Sequence, residues 1–136
     1  MSGWLVPSVL YILLLGGLGV TTKLALRDVT WQDVIAWTAV VYAIICITML
    51  VSGQASLRLG AGTFWAIASA VLASTALIAF YIALGKGDAS RVVPFTSAYP
   101  VITLILSALV LAEKITVVRG GAALLVVIGV ALLSAN

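Results

Sequence analysis

The residues able to do chemistry are few, and most stand in the wrong places for bond-making. The sequence has no histidine, which is the commonest general base and a frequent metal ligand. Its four carboxylates, Asp28, Asp33, Asp88 and Glu113, lie between apolar runs or at their ends. No acid stands midway along a run, where a proton relay through a bilayer would need it. Cys46, the single cysteine, cannot form an intramolecular disulfide, and inside an apolar run it reads as a packing residue. No nucleophile–base pair can be assembled from this set. Neither enzymatic activity, a cofactor nor a metal site is expected. What remains is a group of hydroxyls and one lysine embedded in apolar sequence, and their chemistry is hydrogen bonding to a polar solute.

The hydroxyls are ordered. Thr96, Pro100, Thr103 and Ser107 are spaced by four, three and four, which places them on one helical face, with Tyr99 beside them. Pro100 has no N–H and crowds the carbonyl of Thr96, so that carbonyl needs another partner. A polar stripe with an interrupted backbone bond suits the wall of a pathway. A kinked helix packed by small hydroxyl residues fits the same pattern. Thr38, Tyr42 and Cys46 repeat every four residues with Trp37 nearby, a candidate second wall. Tyr81 faces either a cavity or the membrane interface. Lys23 lies one turn before Arg27 and shares a face with Gly16. It either snorkels to headgroups or presents a cation to an anionic group within a cavity.

The elements that must hold these residues follow from composition. The 136 residues are 64% hydrophobic and 8% charged, with a mean hydropathy of +1.31. An ordinary soluble domain is about half apolar and about one quarter charged, and a small one leaves much of its surface in water. Soluble enzymes, secreted disulfide scaffolds, disordered tails and nucleic-acid modules are therefore poor readings, and a lipid bilayer is the expected solvent. Five apolar spans are predicted, at about 4–26, 33–51, 63–84, 92–112 and 117–134, forming one transmembrane domain over 1–136. Each approaches the ~20 residues a spanning helix requires. Short connections make sequential helices antiparallel neighbours. Only helices satisfy the backbone of such isolated segments in lipid, so the expected fold is an all-α, multi-pass membrane bundle of five helices. The first run reads as a retained span, because no basic residue precedes it and the apolar pattern continues to Leu26. Trp4, Trp31 and Trp65 sit at span ends as interface anchors. Ala66, Ser69, Ala70, Ala73 and Ser74 in the third span, and Gly120, Gly121 and Gly129 in the fifth, permit close helix–helix approach within or between chains.

The net charge of +3 comes from basic residues scattered singly. That is a membrane-flanking pattern, unlike the basic patch of a nucleic-acid protein. In the five-span topology Arg58, Lys114 and Arg119 fall on one side and Lys23, Arg27, Lys86 and Arg91 on the other. Orientation is set by an imbalance of Lys and Arg, and here there is almost none. Two readings remain open: dual topology with head-to-tail pairing, or one orientation fixed by a weak bias.

The ordered set of features resembles one repeat of the drug/metabolite transporter superfamily, with its EamA-type domain. The segment 83–94, Ala-Leu-Gly-Lys-Gly-Asp-Ala-Ser-Arg-Val-Val-Pro, is similar to the family's loop into its fourth helix. Ser97, Pro100, the span end Leu111-Ala112-Glu113-Lys114 and the glycines 120, 121 and 129 follow its pattern. The resemblance covers essentially the whole chain. It implies a small-molecule transporter of metabolites or drugs, working by alternating access and more often exporting than importing, in a prokaryotic plasma membrane. Most members carry two such repeats in opposite orientation, so a single repeat implies an antiparallel homodimer with the substrate cavity between copies. On this reading Lys23, Thr38, Tyr42, Tyr81, Thr96, Tyr99, Pro100, Thr103 and Ser107 line the substrate pathway. Lys23 of one copy and Glu113 of the other share a side and could gate it. The four-span multidrug members carry an acid in their first span, and this chain has none there, which speaks against proton-coupled export of cations by that chemistry. The alternative reading is a non-transporting accessory subunit that pairs with another membrane protein.

Overall fold

The structure is a computed structural model and describes residues 3–134. It contains six helices: α1 (Leu5–Ala25), α2 (Trp31–Val51), α3 (Thr63–Lys86), α4 (Ala89–Thr96), α5 (Tyr99–Val110) and α6 (Val117–Ser134). No strand occurs among the described residues. The chain is all-α. Helices α1, α2 and α3, and the segment Ala89–Val110 that holds α4 and α5, are long and apolar enough to cross a membrane. Helix α6 has 18 residues, about 27 Å at 1.5 Å per residue, slightly less than the ~30 Å hydrocarbon core. The chain divides between Lys86 and Gly87 into two compact units.

In the first unit, α3 packs against both α1 and α2. Helix α2 begins at a capping box: the Thr30 hydroxyl accepts from the Asp33 N–H at 3.3 Å, and the Asp33 carboxylate accepts from the Thr30 N–H at 2.9 Å. This satisfies two amide donors that a helix start leaves unpaired, and it sets the start at Trp31, two residues before the expected one. Helix α2 ends in a left-handed turn at Gly53, φ 71°. Hydroxyls that face outward are satisfied locally. Thr48 donates to the Ile44 carbonyl, Ser74 to Ala70 and Thr75 to Val71, each at 2.8 Å. Bonding to the carbonyl four residues back lets a Ser or Thr lie against lipid without an unpaired polar group.

In the second unit, α6 packs against α4 and α5. The expected span over 92–112 is here two helices, broken at 97–98. Two prolines explain the break. Pro94 and Pro100 each lack the N–H that would bond four residues back, and the turn between them tightens. The Ser97 N–H is shared by the Val93 and Pro94 carbonyls, and the Ala98 N–H goes to Phe95. These three-residue closures are the tighter helical turn that commonly ends an α-helix. Helix α5 ends at Ala112 in the left-handed conformation, φ 53°.

Candidate functional site

The first unit buries very little, and what it buries lies at one end. Gly19 and Thr22 of α1 and Tyr81 and Leu84 of α3 are its buried helical residues. Tyr81 is 2% exposed, Leu84 0% and Thr22 3%. Helix α1 finishes there and α3 finishes there, while α2 has just begun. Two side-chain contacts tie the three together.

The first comes from Lys23. Its Nζ donates to the Leu84 carbonyl at 2.8 Å. That carbonyl belongs to the last turn of α3, where four carbonyls have no partner within the helix. A lysine there supplies a donor and meets the negative end of the helix dipole. The half-buried ammonium thereby caps the neighbouring helix.

The second contact joins α2 and α3. Thr38 Oγ1 lies 2.8 Å from the Val34 carbonyl and 3.3 Å from the Tyr81 hydroxyl. A threonine has one hydroxyl proton, and the shorter contact takes it, because a carbonyl can only accept. Tyr81 is therefore the donor in the longer contact, and its oxygen keeps an acceptor lone pair.

Beside this contact is an open cleft of about 430 Å³, lined by Leu18, Thr22, Trp37, Thr38, Tyr42 and Tyr81 among others. Trp37 is 69% exposed and Tyr42 63%, and both border it. The structure thus brings Thr38, Tyr42 and Tyr81 together, with Lys23 next to Thr22 at the same end. Cys46, one turn beyond Tyr42, is exposed. Leu18, Thr21, Thr22 and Leu77 also line the cleft and were not singled out from the sequence. A second open hollow of about 720 Å³ lies along the connection 52–62 and the first turns of α3.

The stripe of the second unit has a different character. Thr96 donates to the carbonyls of Val92 and Val93 at 2.9 and 3.0 Å. Thr103 donates to Tyr99 at 3.3 Å and Ser107 to Leu104 at 3.0 Å. Each of these hydroxyls turns back to its own helix. Thr96 lies before the break at 97–98, and Tyr99, Pro100, Thr103 and Ser107 lie after it. Thr96, Tyr99, Pro100 and Thr103 are exposed and Ser107 is half-buried. Glu113 is exposed in the connection 111–116. The glycines at 120, 121 and 129 have nothing within 4 Å of where a Cβ would stand, so among the described residues they make no close helix contact.

Among the described residues no group of His, Cys, Asp and Glu side chains is placed to hold a metal ion. The cleft offers hydroxyls, aromatic faces and aliphatic walls, and no charge lines it.

Comparison with known proteins fits this picture. The profile of the EamA-like transporter family matches residues 3–135. An uncharacterized protein of Methanocaldococcus jannaschii is 46% identical over 70 residues, a stretch covering 52% of this chain and 51% of that relative. The match therefore spans about half the length of that curated relative. No solved structure matches the chain significantly.

Proposed function

Because the chain belongs to the EamA-like transporter family, we propose that it exports a small metabolite or drug-like molecule across the prokaryotic plasma membrane, by alternating access of a homodimer. A multi-pass membrane protein of transporter type is the frame; substrate, direction and assembly are this reading's own. The observation that carries it is the cleft of the first unit, an uncharged recess between membrane-spanning helices with Thr38, Tyr42 and Tyr81 on its wall. In lipid, such hydroxyls and an open recess suit a solute that must shed water to cross.

The even distribution of Lys and Arg supports antiparallel pairing, with copies inserted both ways. On that reading Thr96, Tyr99, Pro100, Thr103 and Ser107 are the pathway residues of the second unit, and Lys23 of one copy meets Glu113 of the other at a gate. Two experiments test this. A C-terminal reporter should be active on both sides of the membrane; activity on one side alone removes the dual-topology part. Purified protein screened against a panel of amino acids, nucleobases and drug-like amines should show ligand-induced thermal stabilisation, because a ligand that binds only the folded state raises its apparent stability. A panel without any stabilising compound counts against a binding cleft.

A further inference from the structure

The connection 52–62 holds a cation that no carboxylate of its unit answers. We propose that Arg58 and the hollow it borders form a binding site for one anionic phospholipid, with the headgroup phosphate at the arginine and an acyl chain along the first turns of α3. The site requires only a chain that spans a membrane and is independent of transport.

The charged side chains of the first unit are Lys23, Arg27, Asp28, Asp33, Arg58 and Lys86. Five of them sit at the end where α1 and α3 finish and α2 begins. Arg58 stands alone beyond the far end of α2, a helix of 21 residues and so about 31 Å long. Asp28 and Asp33 are therefore several screening lengths away. A guanidinium carries five N–H donors and keeps its charge at every ordinary pH. The Arg58 Nε–H donates to Ser56 Oγ at 3.1 Å. The four N–H groups on its terminal nitrogens have no protein partner among the described residues. Such a planar fork matches two oxygens of a phosphate.

The arginine is also held in place from three directions. Its backbone N–H donates to the Ser56 carbonyl at 2.9 Å. Its carbonyl accepts from the Thr63 hydroxyl at 3.2 Å, and that hydroxyl accepts from the Gly60 N–H at 2.9 Å. The connection is thereby tied to the start of α3. Ordering that precedes binding lowers the entropy lost when an anion arrives.

The surroundings of Arg58 suit a lipid better than a water-borne anion. Leu57 is 84% exposed and Leu59 90%, so Arg58 is flanked by apolar side chains that water does not favour. Phe64 and Trp65, in the first turn of α3, are exposed and meet edge to face at 5.2 Å. Tryptophan at a span end sits at headgroup depth, and an arginine among exposed leucines belongs where headgroups meet acyl chains. The hollow, about 720 Å³, is bordered by Ser56, Arg58 and Thr63 at the connection and by Ala66, Ile67 and Ala70 further along α3. It runs from polar to apolar, as a lipid does. From Thr63 to Ala70 is about 10 Å of helix, enough for the upper part of one acyl chain. Net charge selects the headgroup: a zwitterionic lipid brings its own cation, whereas phosphatidylglycerol leaves one negative charge for Arg58.

Binding of radiolabelled phosphatidylglycerol and phosphatidylcholine with identical acyl chains, to the full chain in neutral-detergent micelles, tests this. Phosphatidylglycerol should bind about fivefold tighter, the contribution of one basic residue at an anionic surface. Arg58→Gln should remove most of that preference, and Arg27→Gln, at the opposite end of the unit, should leave it. Ala70→Leu, which fills the hollow, should weaken phosphatidylglycerol binding. Equal binding of the two lipids, or a preference that survives Arg58→Gln, overturns the proposal. So does displacement of the lipid by millimolar inorganic phosphate at matched ionic strength, which would make the site one for a free anion. If Arg58→Gln fails to fold, Ala70→Leu decides: unchanged phosphatidylglycerol binding overturns the proposal.

Discussion

At the scale of single residues, Lys23 illustrates how a charge can be held in an apolar chain. Its ammonium meets the last turn of α3 at 2.8 Å, and hydrogen bonds to charged groups contribute about 1.5–3 kcal/mol. Lys23→Met should lower resistance to chemical unfolding by about that amount, and Lys23→Arg should recover part of it; a Met variant as stable as the parent would mean the bond contributes nothing. The sequence marks Lys23, Thr38, Tyr42 and Tyr81 as candidates because polar side chains stand out against an apolar background. It gives no sign of Leu84 or Thr22. Leu84 acts through its backbone carbonyl, which no side-chain pattern reveals. Thr22 resembles its neighbour Thr21 in sequence, yet Thr22 is buried and Thr21 exposed. Which of two adjacent threonines faces inward depends on where the neighbouring helix lies, and apolar periodicity fades when lipid covers the outer face.

At the scale of elements, α2 and α5 end in the same left-handed turn with different residues. At Gly53, φ 71°, the missing Cβ makes that conformation free of clash. At Ala112, φ 53°, a Cβ is present, and an L-residue there costs roughly 1–2 kcal/mol. Gly53→Ala should therefore destabilise by about 1 kcal/mol. Ala112→Gly should stabilise by roughly 0.5–1 kcal/mol, the relief being partly offset by the greater freedom of glycine in the unfolded chain. Denaturation midpoints moving in opposite directions would bear this out; movement in the same direction would contradict it. The helical class of the chain was legible from hydropathy alone. The interruption of the fourth apolar run was legible only in part: Pro100 signals a kink, but the full break needs Pro94 as well, six residues earlier, so that two missing amides flank one turn. Pro100→Ala restores a donor for the Thr96 carbonyl and should slow amide exchange around 97–101, whereas unchanged exchange would place the cause of the break elsewhere. The start of α2 was placed late because Asp33 reads as a polar boundary residue, while in the structure it is the third residue of a helix capped by Thr30.

At the scale of the whole molecule, the helices carry large apolar side chains outward, Val6, Leu13, Val51, Leu72 and Leu132 among them. Among the described residues the buried hydrophobic side chains are Tyr81 and Leu84. Lipid and a second copy are the covers this reading assigns. The open glycines of α6 suit a close contact between copies. Gly121→Leu should abolish the proposed dimer on native gels while leaving membrane insertion intact, and a variant that still dimerises would move the interface elsewhere. Thr103→Leu separates transporter from accessory subunit, since a transporter loses flux with assembly unchanged and a scaffold is indifferent. The most direct test of the central claim is solute efflux from liposomes carrying the purified chain, loaded in turn with a panel of metabolites. The account predicts that at least one solute leaves faster than from protein-free liposomes, saturably, and that the Trp37→Leu/Thr38→Val double variant, still assembled, loses this flux. Efflux equal to protein-free liposomes for every solute, or flux untouched by the double variant, would contradict it.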